Sequence, residues 1–586
     1  MNILGISGFE NAIAFKKTHW PNLEEHEYRI SQGHDSAAAL IVNGSVVAAA
    51  AEERFNRKKH CGDFPVNAIH YCLAEAGLTL ADVDEVAHGF DYAPFQKLYS
   101  LEKVSKALYH EVFSREALLT FVRRDLSGYP IDRVTHVPHH LAHAASAYFT
   151  SGWNECMVVV IDGMGEAHSV TVYHAHGDKL DMVWQVPTSD SIGILYSLVT
   201  LHLGFDFNAD EYKIMGLAPY GDPDRFRSFF DRVVEQRDHG SIRIPILHLN
   251  RTREAREFLR ATRGYLTEHL IEARRPDADL TMLHQDVAAA LQACLDRVML
   301  HICGYWGHKL EQRKLALAGG VALNCTANGK LLRSDLFDDI YVQPAAGDDG
   351  VALGAALHRA AQAGEVINHR LPVPFLGPAY SLTAIEMACA QYQDEIETIR
   401  FSSLAETCVR AAHFIAAGRV IAWYRGRMEY GPRALGHRSI LADPGHPEMR
   451  DRINAMVKMR EAFRPFAPAV SVEQVSHWFD VLPGTMLPYM IMIVDVKPEH
   501  RATLPAVTHV DGSARVQTVS AQDNLEFHTL LQAVGRTTGR EMVLNTSFNI
   551  KGQPIVNTPQ EAIQTFLRTG IEYLFLENIL VKRKGQ

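Results

Sequence analysis

Apolar positions along the chain fall into two rhythms. Short uninterrupted runs read as buried strands, and longer stretches with apolar residues every three to four positions read as helices. Asn2–Gly8 is the first run. Ala37–Val42 and Ser45–Ala51 follow, joined by Asn43-Gly44, and Asn-Gly between apolar runs predicts a β-hairpin. Cys156–Ile161 is a continuous apolar run typical of a buried strand, with Val170–His174 and Asp181–Val186 as its expected partners. Leu315–Leu317 is a short strand that breaks into Gly319-Gly320. Helical spacing covers Pro65–Gly77, Leu101–Leu126, Asp224–Arg237, Arg251–Arg275, Met282–His308 and Leu353–Ala363. Farther on, Ala405–Ala417 reads as helix, and Val420–Trp423 and Pro488–Val494 read as strands.

Strands interleaved with helices predict an α/β protein. At 586 residues the chain is long for one core, and two domains are expected. The segment from Leu371 to Pro378 carries three prolines and a glycine, which disrupt helix and sheet alike. The domain boundary is placed there, giving 1–370 and 371–586. A net charge of −10 argues against broad nucleic-acid binding. The 8 cysteines show no C-x-x-C pair or regular spacing, which suits free thiols in a reducing compartment. The N-terminus lacks a basic region followed by a long apolar run, and no uncharged run approaches membrane-span length. A cytoplasmic enzyme with no membrane or nucleic-acid partner is the expectation.

The candidate chemistry starts at Pro138-His139-His140-Leu141-Ala142-His143. A helix begun at Pro138 puts His139 and His143 on one face, about one turn apart. Asp162, at a strand end, and Asp348, in Gly347-Asp348-Asp349-Gly350, complete a two-His, two-carboxylate set suited to a divalent transition metal. Residue 140 is His where the zinc-protease H-E-x-x-H pattern needs Glu, so a metalloprotease is disfavoured. His34, in Gly33-His34-Asp35-Ser36, belongs to a polar turn or serves as a general base. Gly319, Gly320, Val321 and Asn324 form a strand-to-helix turn whose glycines either admit a ligand to the backbone or serve only the tight turn. Asp162-Gly163 is either a phosphate-binding turn or an ordinary strand end, and Glu211 and Lys213 read as an ion pair in an exposed loop. The densest cationic cluster holds Arg425, Arg427, Arg433 and Arg438, followed by Lys458 and Arg460. Its interleaving with Gly, Pro and Phe suggests a shaped pocket for anionic oxygens. Arg515 and the hydroxyl and amide groups of Asn545, Thr546, Ser547 and Asn549 extend it.

These stretches, in order, resemble the O-carbamoyltransferases of the NodU/CmcH/TobZ type over essentially the whole chain. The matching motifs include GHDSAAAL, AEERFNRKKH, HHLAHA, VVVIDGMGE, EYKIMGLAPYG, LAGGVALN, GDDGVALGAA, GRMEYGPRALGHRSILADP, KMREAFRPFAP, DGSARVQTV and LNTSFN. The resemblance implies an N-terminal actin/hexokinase-like duplicated α/β domain and a C-terminal YrdC-like α/β domain. In the second, Lys458-Met-Arg460 and Ser547-Phe-Asn549 match the K-x-R and S-x-N pairs that hold phosphate-bearing ligands. It implies that carbamoyl phosphate and ATP, with Mg(II), yield carbamoyladenylate there. The adenylate would pass internally to the N-terminal domain, where a hydroxyl of a small molecule takes the carbamoyl group.

By the same resemblance His139, His143, Asp162 and Asp348 hold iron(II), and His34 is the general base. Gly163, Lys213, Gly319, Gly320, Val321 and Asn324 contact the adenylate. Arg433, Lys458, Met490 and Arg515 contact carbamoyl phosphate and ATP. A macrolide, ansamycin, aminoglycoside, cephem or nodulation oligosaccharide all suit the acceptor role, which places the chain in antibiotic or other secondary metabolism, and a homodimer is compatible with it. Competing readings are a tRNA threonylcarbamoyl-type enzyme and an actin-like ATPase or sugar kinase. The segment Phe9–Gln32, longer than the turn often found in close relatives, either lines the acceptor site or is a surface loop.

Overall fold

The computed structural model describes residues 1–368, 374–458, 461 and 463–585. They form two compact units, Met1–Asn56 with His60–Leu371 and Arg57–Lys59 with Pro372–Gln586. The expected boundary at 370/371 falls outside the described residues.

The first unit contains the same sheet twice. β1 (Asn2–Ile6), β2 (Ala37–Val42), β3 (Ser45–Ala51), β4 (Glu85–His88) and β5 (Val134–His136) lie in the order β3-β2-β1-β4-β5. The first three are antiparallel neighbours, while β4 and β5 add in parallel. The second sheet has β6 (Glu155–Ile161), β7 (His168–His176), β8 (Lys179–Pro187), β9 (Lys314–Ala318) and β10 (Asp339–Val342). Its order, β10-β9-β6-β7-β8, and its directions repeat the first sheet strand for strand. This is the duplicated α/β core of the actin and hexokinase type. The β2–β3 hairpin turns on Asn43 and Gly44, both with positive φ (49° and 73°), as its Asn-Gly sequence requires.

Two helices cross between the repeated sheets. His139–Tyr148 is buried on nearly every side, and its alanines let neighbours approach closely. Asp349–Gln362 packs on it and on β1 and β2. Two glycines set this approach. A Cβ on Gly354 would lie 1.7 Å from the Ala142 carbonyl oxygen, and one on Gly5 would lie 1.8 Å from that of Ala352. The long helix Met282–Lys309 is apolar enough by composition to span a membrane, yet 72% of its most apolar window is buried in the unit, as befits a core helix.

Several expected elements are shorter or broken. Leu101–Leu126 is not one helix: Ser114 is extended and caps Arg115–Asp125 by accepting the Ala117 N–H. Arg251–Arg275 is interrupted at Leu259 (φ 53°), leaving Arg253–Arg256 and Arg260–His269. Asp224–Arg237 contracts to Arg227–Val233 before a short strand. Pro488–Val494 is strand only from Ile493, because Met490 takes a left-handed conformation (φ 58°). Glu211–Leu217 is helix rather than exposed loop, and Glu211 is drawn inside to accept from the Ser197 hydroxyl at 2.6 Å. Phe9–Gln32 is no surface loop. It carries the helices Ala12–His19 and Glu25–Tyr28, and Phe9, Ala12 and Phe15 are buried among Phe90, Tyr92 and Tyr99.

The second unit is built on one mixed eight-stranded sheet. Its strands are β11 (Ile396–Arg400), β12 (Ile421–Tyr424), β13 (Arg438–Ala442), β14 (Ala467–Ser471), β15 (Gln517–Val519), β16 (Met542–Ser547), β17 (Tyr573–Leu576) and β18 (Ile579–Arg583). They run β11-β18-β17-β12-β13-β16-β14-β15. Trp423, Leu441, Phe527 and Phe575 sit in its core.

Gly354→Ala should destabilise the protein by about 1–3 kcal/mol or more, since the added methyl meets backbone that cannot rotate away. Gly264→Ala, in an open helical position, should be neutral or stabilising by up to about 1 kcal/mol. Denaturant unfolding of both variants checks the contrast.

Candidate metal and transfer site

The histidine helix follows Pro138 (φ −53°), which sits at its N-cap. The Glu166 carboxyl group accepts the His139 N–H at 2.8 Å and the Asp91 N–H at 2.8 Å, which satisfies a donor of the helix's first turn. His139 Nδ1 lies 3.2 Å from the Gly89 carbonyl, to which it donates, turning Nε2 inward. Its ring stacks on Phe90 with centroids 4.1 Å apart.

Nε2 of His139 lies 3.1 Å from Nε2 of His143, 3.5 Å from Asp162 Oδ2 and 3.5 Å from Asp348 Oδ1. His143 Nε2 lies 3.7 Å from Asp348 Oδ1. One ligand atom from each of the four residues falls within a span of 4.8 Å. Both histidines are fully buried, and His143 Nδ1 is buried without a partner. Two imidazole nitrogens face each other here, flanked by two carboxylates. Two nitrogen and two oxygen donors with a fixed tautomer fit a divalent transition-metal ion.

The electrostatics agree. Burial works against charge on His139, but Asp348 and Asp162 hold its pKa well above the ordinary value. Burial and the neighbouring His139 hold His143 below it. Both aspartates titrate below the usual carboxylate range; burial opposes this, and the histidines, His139 foremost, outweigh it.

The other predicted groups have the following surroundings. Asp162 Oδ1 accepts the Gly320 N–H at 3.0 Å, joining the Gly319-Gly320 turn to the aspartate. Gly319 (φ 92°) passes so close to β6 that a Cβ would meet the Ile161 oxygen at 2.3 Å. The Gly163 carbonyl accepts from the Ser191 hydroxyl at 2.6 Å, and open space lies where a Gly163 side chain would be. Val321 lies in the single turn after Gly320. Asn324 caps the helix Cys325–Leu332 and exchanges hydrogen bonds of 3.0 Å with Gln292. Lys213 pairs with Asp210 at 2.8 Å. His34 is half-buried, with Nε2 3.0 Å from the Ser31 hydroxyl. Burial keeps its pKa below the ordinary value against the pull of Asp35 and Asp348, so it is neutral at neutral pH.

Sequence reading missed Glu166 as the group anchoring the histidine helix, although it closes the quoted motif VVVIDGMGE. It also missed Asp296, whose carboxyl is pushed up by burial to about 6 beside Gln292. A lone acid on a long amphipathic helix carries no local signal of burial.

In the second unit the cationic cluster divides. Arg438 is fully buried and donates to the carbonyls of Arg425, Pro378 and Gly426, beneath which lies the Tyr424 ring. Arg425 is bound to Glu526 at 2.8 Å and to the Glu577 carbonyl at 2.9 Å. These two guanidinium groups are consumed by the fold rather than presented to anions, which corrects the expectation that the whole cluster forms a pocket. Buried Glu429 accepts the N–H groups of Leu435, His437 and Arg438, which shapes the loop carrying Arg433. Arg433 is half-buried. Met490 packs with Leu435 and Ala467. Asn545 spends both amide hydrogens on Ala434 and Gln517, leaving its oxygen buried without a partner. Thr546 is half-buried in β16, and Ser547 donates to Asn549 at 2.7 Å. Arg515 sits opposite Ile493 in a two-stranded ribbon. The side chain of Lys458 and the whole of Arg460 lie outside the described residues.

Residues 28–357 match the family model for the carbamoyltransferase N-terminus, and residues 412–583 match that for the carbamoyltransferase C-terminus. The chain is 40% identical to the nodulation protein NolNO of Sinorhizobium fredii, over 100% of this chain and 83% of the relative. It is 42% identical to the nodulation protein NolO of Bradyrhizobium diazoefficiens, over 76% and 79% respectively. Among solved structures, full-length HypF in a phosphate- and nucleotide-bound form aligns over 62% of this chain and 56% of its own, at 14% identity and a TM-score of 0.31, too slight a likeness to argue from. The two matched models span most of the chain, which belongs to the carbamoyltransferase family and is an enzyme that transfers carbamoyl groups.

Proposed function

We propose that the protein is an ATP-dependent O-carbamoyltransferase working in two steps, one in each unit. The observation that carries this reading is the convergence of His139, His143, Asp162 and Asp348 on one point, next to the Gly319-Gly320 turn. In the second unit, hydrolysis of carbamoyl phosphate gives carbamate and phosphate. A carbamate oxygen then attacks the α-phosphate of ATP, forming carbamoyladenylate as pyrophosphate leaves. Arg433, Lys458, Arg460 and Arg515 are the groups assigned to neutralise phosphate charge in that step. Magnesium accompanies ATP as part of the substrate.

In the first unit an acceptor hydroxyl attacks the carbamoyl carbon and AMP departs. His34 takes the hydroxyl proton. It is suited to this because it is neutral, and the Ser31 hydroxyl within hydrogen-bond reach of Nε2 steadies the ring. General-base assistance of this kind is typically worth about 10²–10⁴-fold. A divalent cation on the His–Asp set, iron(II) by resemblance, would supply Lewis acidity toward the carbonyl. Glu166 and the Gly89 carbonyl hold His139 in the orientation that the set needs. The adenylate reacts readily with water, so activation and transfer within one polypeptide protect it. The acidic chain, at −10, gives no support to the tRNA-modifying alternative.

His34→Asn should abolish carbamoyl transfer while carbamoyl-phosphate-dependent pyrophosphate release continues; loss of both steps sinks the division of labour. Lys458→Ala should do the reverse, blocking pyrophosphate release while pre-made carbamoyladenylate still reacts. His143→Ala should remove bound divalent metal, read by elemental analysis of the purified protein, without loss of pyrophosphate release. A variant that keeps its full metal complement would refute the ligand assignment.

A further inference from the structure

A pocket opens in the first unit, with no role so far in either step. Its lining includes Lys16 and Ile30 of the early segment, and Arg253 and Arg256. Ser31, Gln32 and Met164 form the end nearest the transfer chemistry. Ser31 touches His34 at 3.0 Å. Gln32 donates to the carbonyls of Met164 (2.7 Å) and Gly165 (2.8 Å), in the loop that follows Asp162. Two lining residues therefore touch the proposed general base and the loop after Asp162.

The remaining lining is largely apolar, with Leu108, Phe113, Ile194 and Leu247. The charges on the rim do not balance. Lys16 is matched: it pairs with Glu257 at 3.4 Å and donates to the carbonyls of Ile30 and Glu257. Arg253 is not matched by a carboxylate. Its guanidinium lies 4.0 Å over the Tyr99 ring and donates to the Tyr99 hydroxyl, while Nε is buried without a partner. The guanidinium of Arg256 has one bond, to the Asn250 carbonyl at 3.3 Å. The nearby Glu102 carboxylate is spent on the backbone N–H groups of Arg253 and Glu254. Among the described residues, neither of these two pocket-lining arginines, three residues apart, forms an ion pair with a carboxylate, and forks of this kind favour carboxylate or phosphate oxygens.

We infer that this pocket takes the carbamoyl acceptor, and that the acceptor is a hydroxylated molecule with an apolar body and an anionic group, carboxylate or phosphate, bound by Arg253 and Arg256. The inference rests on the transfer reading given above, and it adds the chemical class of the acceptor. The hydroxyl end lies toward Ser31 and His34, and the anionic end toward the arginines.

The test uses the full chain and three probes of one length: 8-hydroxyoctanoate, 8-hydroxyoctyl phosphate and octane-1,8-diol. Calorimetric titration should show at least one anionic probe binding about tenfold or more tighter than the diol. Which anion gains more distinguishes carboxylate from phosphate. Arg253→Gln with Arg256→Gln should erase that advantage with the unfolding midpoint nearly unchanged; if the double variant does not fold, Arg256→Gln, an exposed position, carries the comparison alone. A diol that binds as tightly as both anions overturns the inference, as does an advantage that survives the arginine substitutions. Carbamoyl transfer to neutral hydroxyl compounds, undiminished in the double variant, would refute the acceptor class and leave the transfer reading standing. Arginine-dependent anion binding without any carbamoyl-phosphate-dependent pyrophosphate release would do the opposite.

Discussion

Backbone lies directly on backbone where the helix Asp349–Gln362 crosses His139–Tyr148, and the candidate site depends on that contact. Gly354 against the Ala142 carbonyl leaves no room for a side chain. The distance between the helix axes is fixed by main-chain atoms, which cannot rotate out of the way. Asp348 stands at the start of one helix and His139 in the first turn of the other, so the contact brings a carboxylate to two imidazoles. The third element is the end of β6. Gly319 fits against Ile161, and the Gly320 N–H orients Asp162 toward the same point. Small residues at three crossings thus do what a larger core would prevent: they let polar groups from distant parts of the chain meet inside the protein.

Charge explains why such a meeting implies a ligand. Two carboxylates and two imidazoles out of water are costly unless their charges balance. The four groups partly balance themselves: Asp348 and Asp162 raise the pKa of His139 against its burial, while burial and His139 lower that of His143. One imidazolium against two carboxylates still leaves a net negative centre. A divalent cation with neutral imidazoles balances the two aspartates completely and also uses the converging Nε2 atoms. Burial raises the pKa of the neighbouring Glu166 against the pull of His139.

What the sequence revealed was local. The Asn-Gly hairpin, the Pro-led histidine helix and the strand ending at Asp162 each depend on a few adjacent residues, and each stands in the structure where its pattern placed it. The four metal-ligand candidates were legible for the same reason, since a His spacing and two aspartates at strand or helix ends need no tertiary information. The misses were non-local or conformational. Leu259 and Met490 take left-handed φ values that no side-chain pattern announces. Ser114 ends one helical run and begins another because its hydroxyl competes for the backbone. The early segment was ambiguous because its burial depends on Phe90, Tyr92 and Tyr99, far along the chain.

Arginine shows most clearly why residue type alone underdetermines function. The cluster richest in arginine lies in the second unit, yet Arg438 is held by several carbonyls and Arg425 by a carboxylate and a carbonyl, and both serve the fold. Arg253 and Arg256 sit in a charged helical stretch that looks like an ordinary solvated face, yet their guanidinium groups lack a carboxylate and line a pocket. The difference is in the acceptors around each guanidinium. A guanidinium with five N–H donors surrounded by carbonyl oxygens has no capacity left for a ligand, whatever its charge. One stacked on a ring with donors unspent retains both its charge and its hydrogen-bonding capacity. On the proposed reading, the absence of an ion pair matters more for anion recognition than cation density, and that criterion leads to the pocket lined by Arg253 and Arg256.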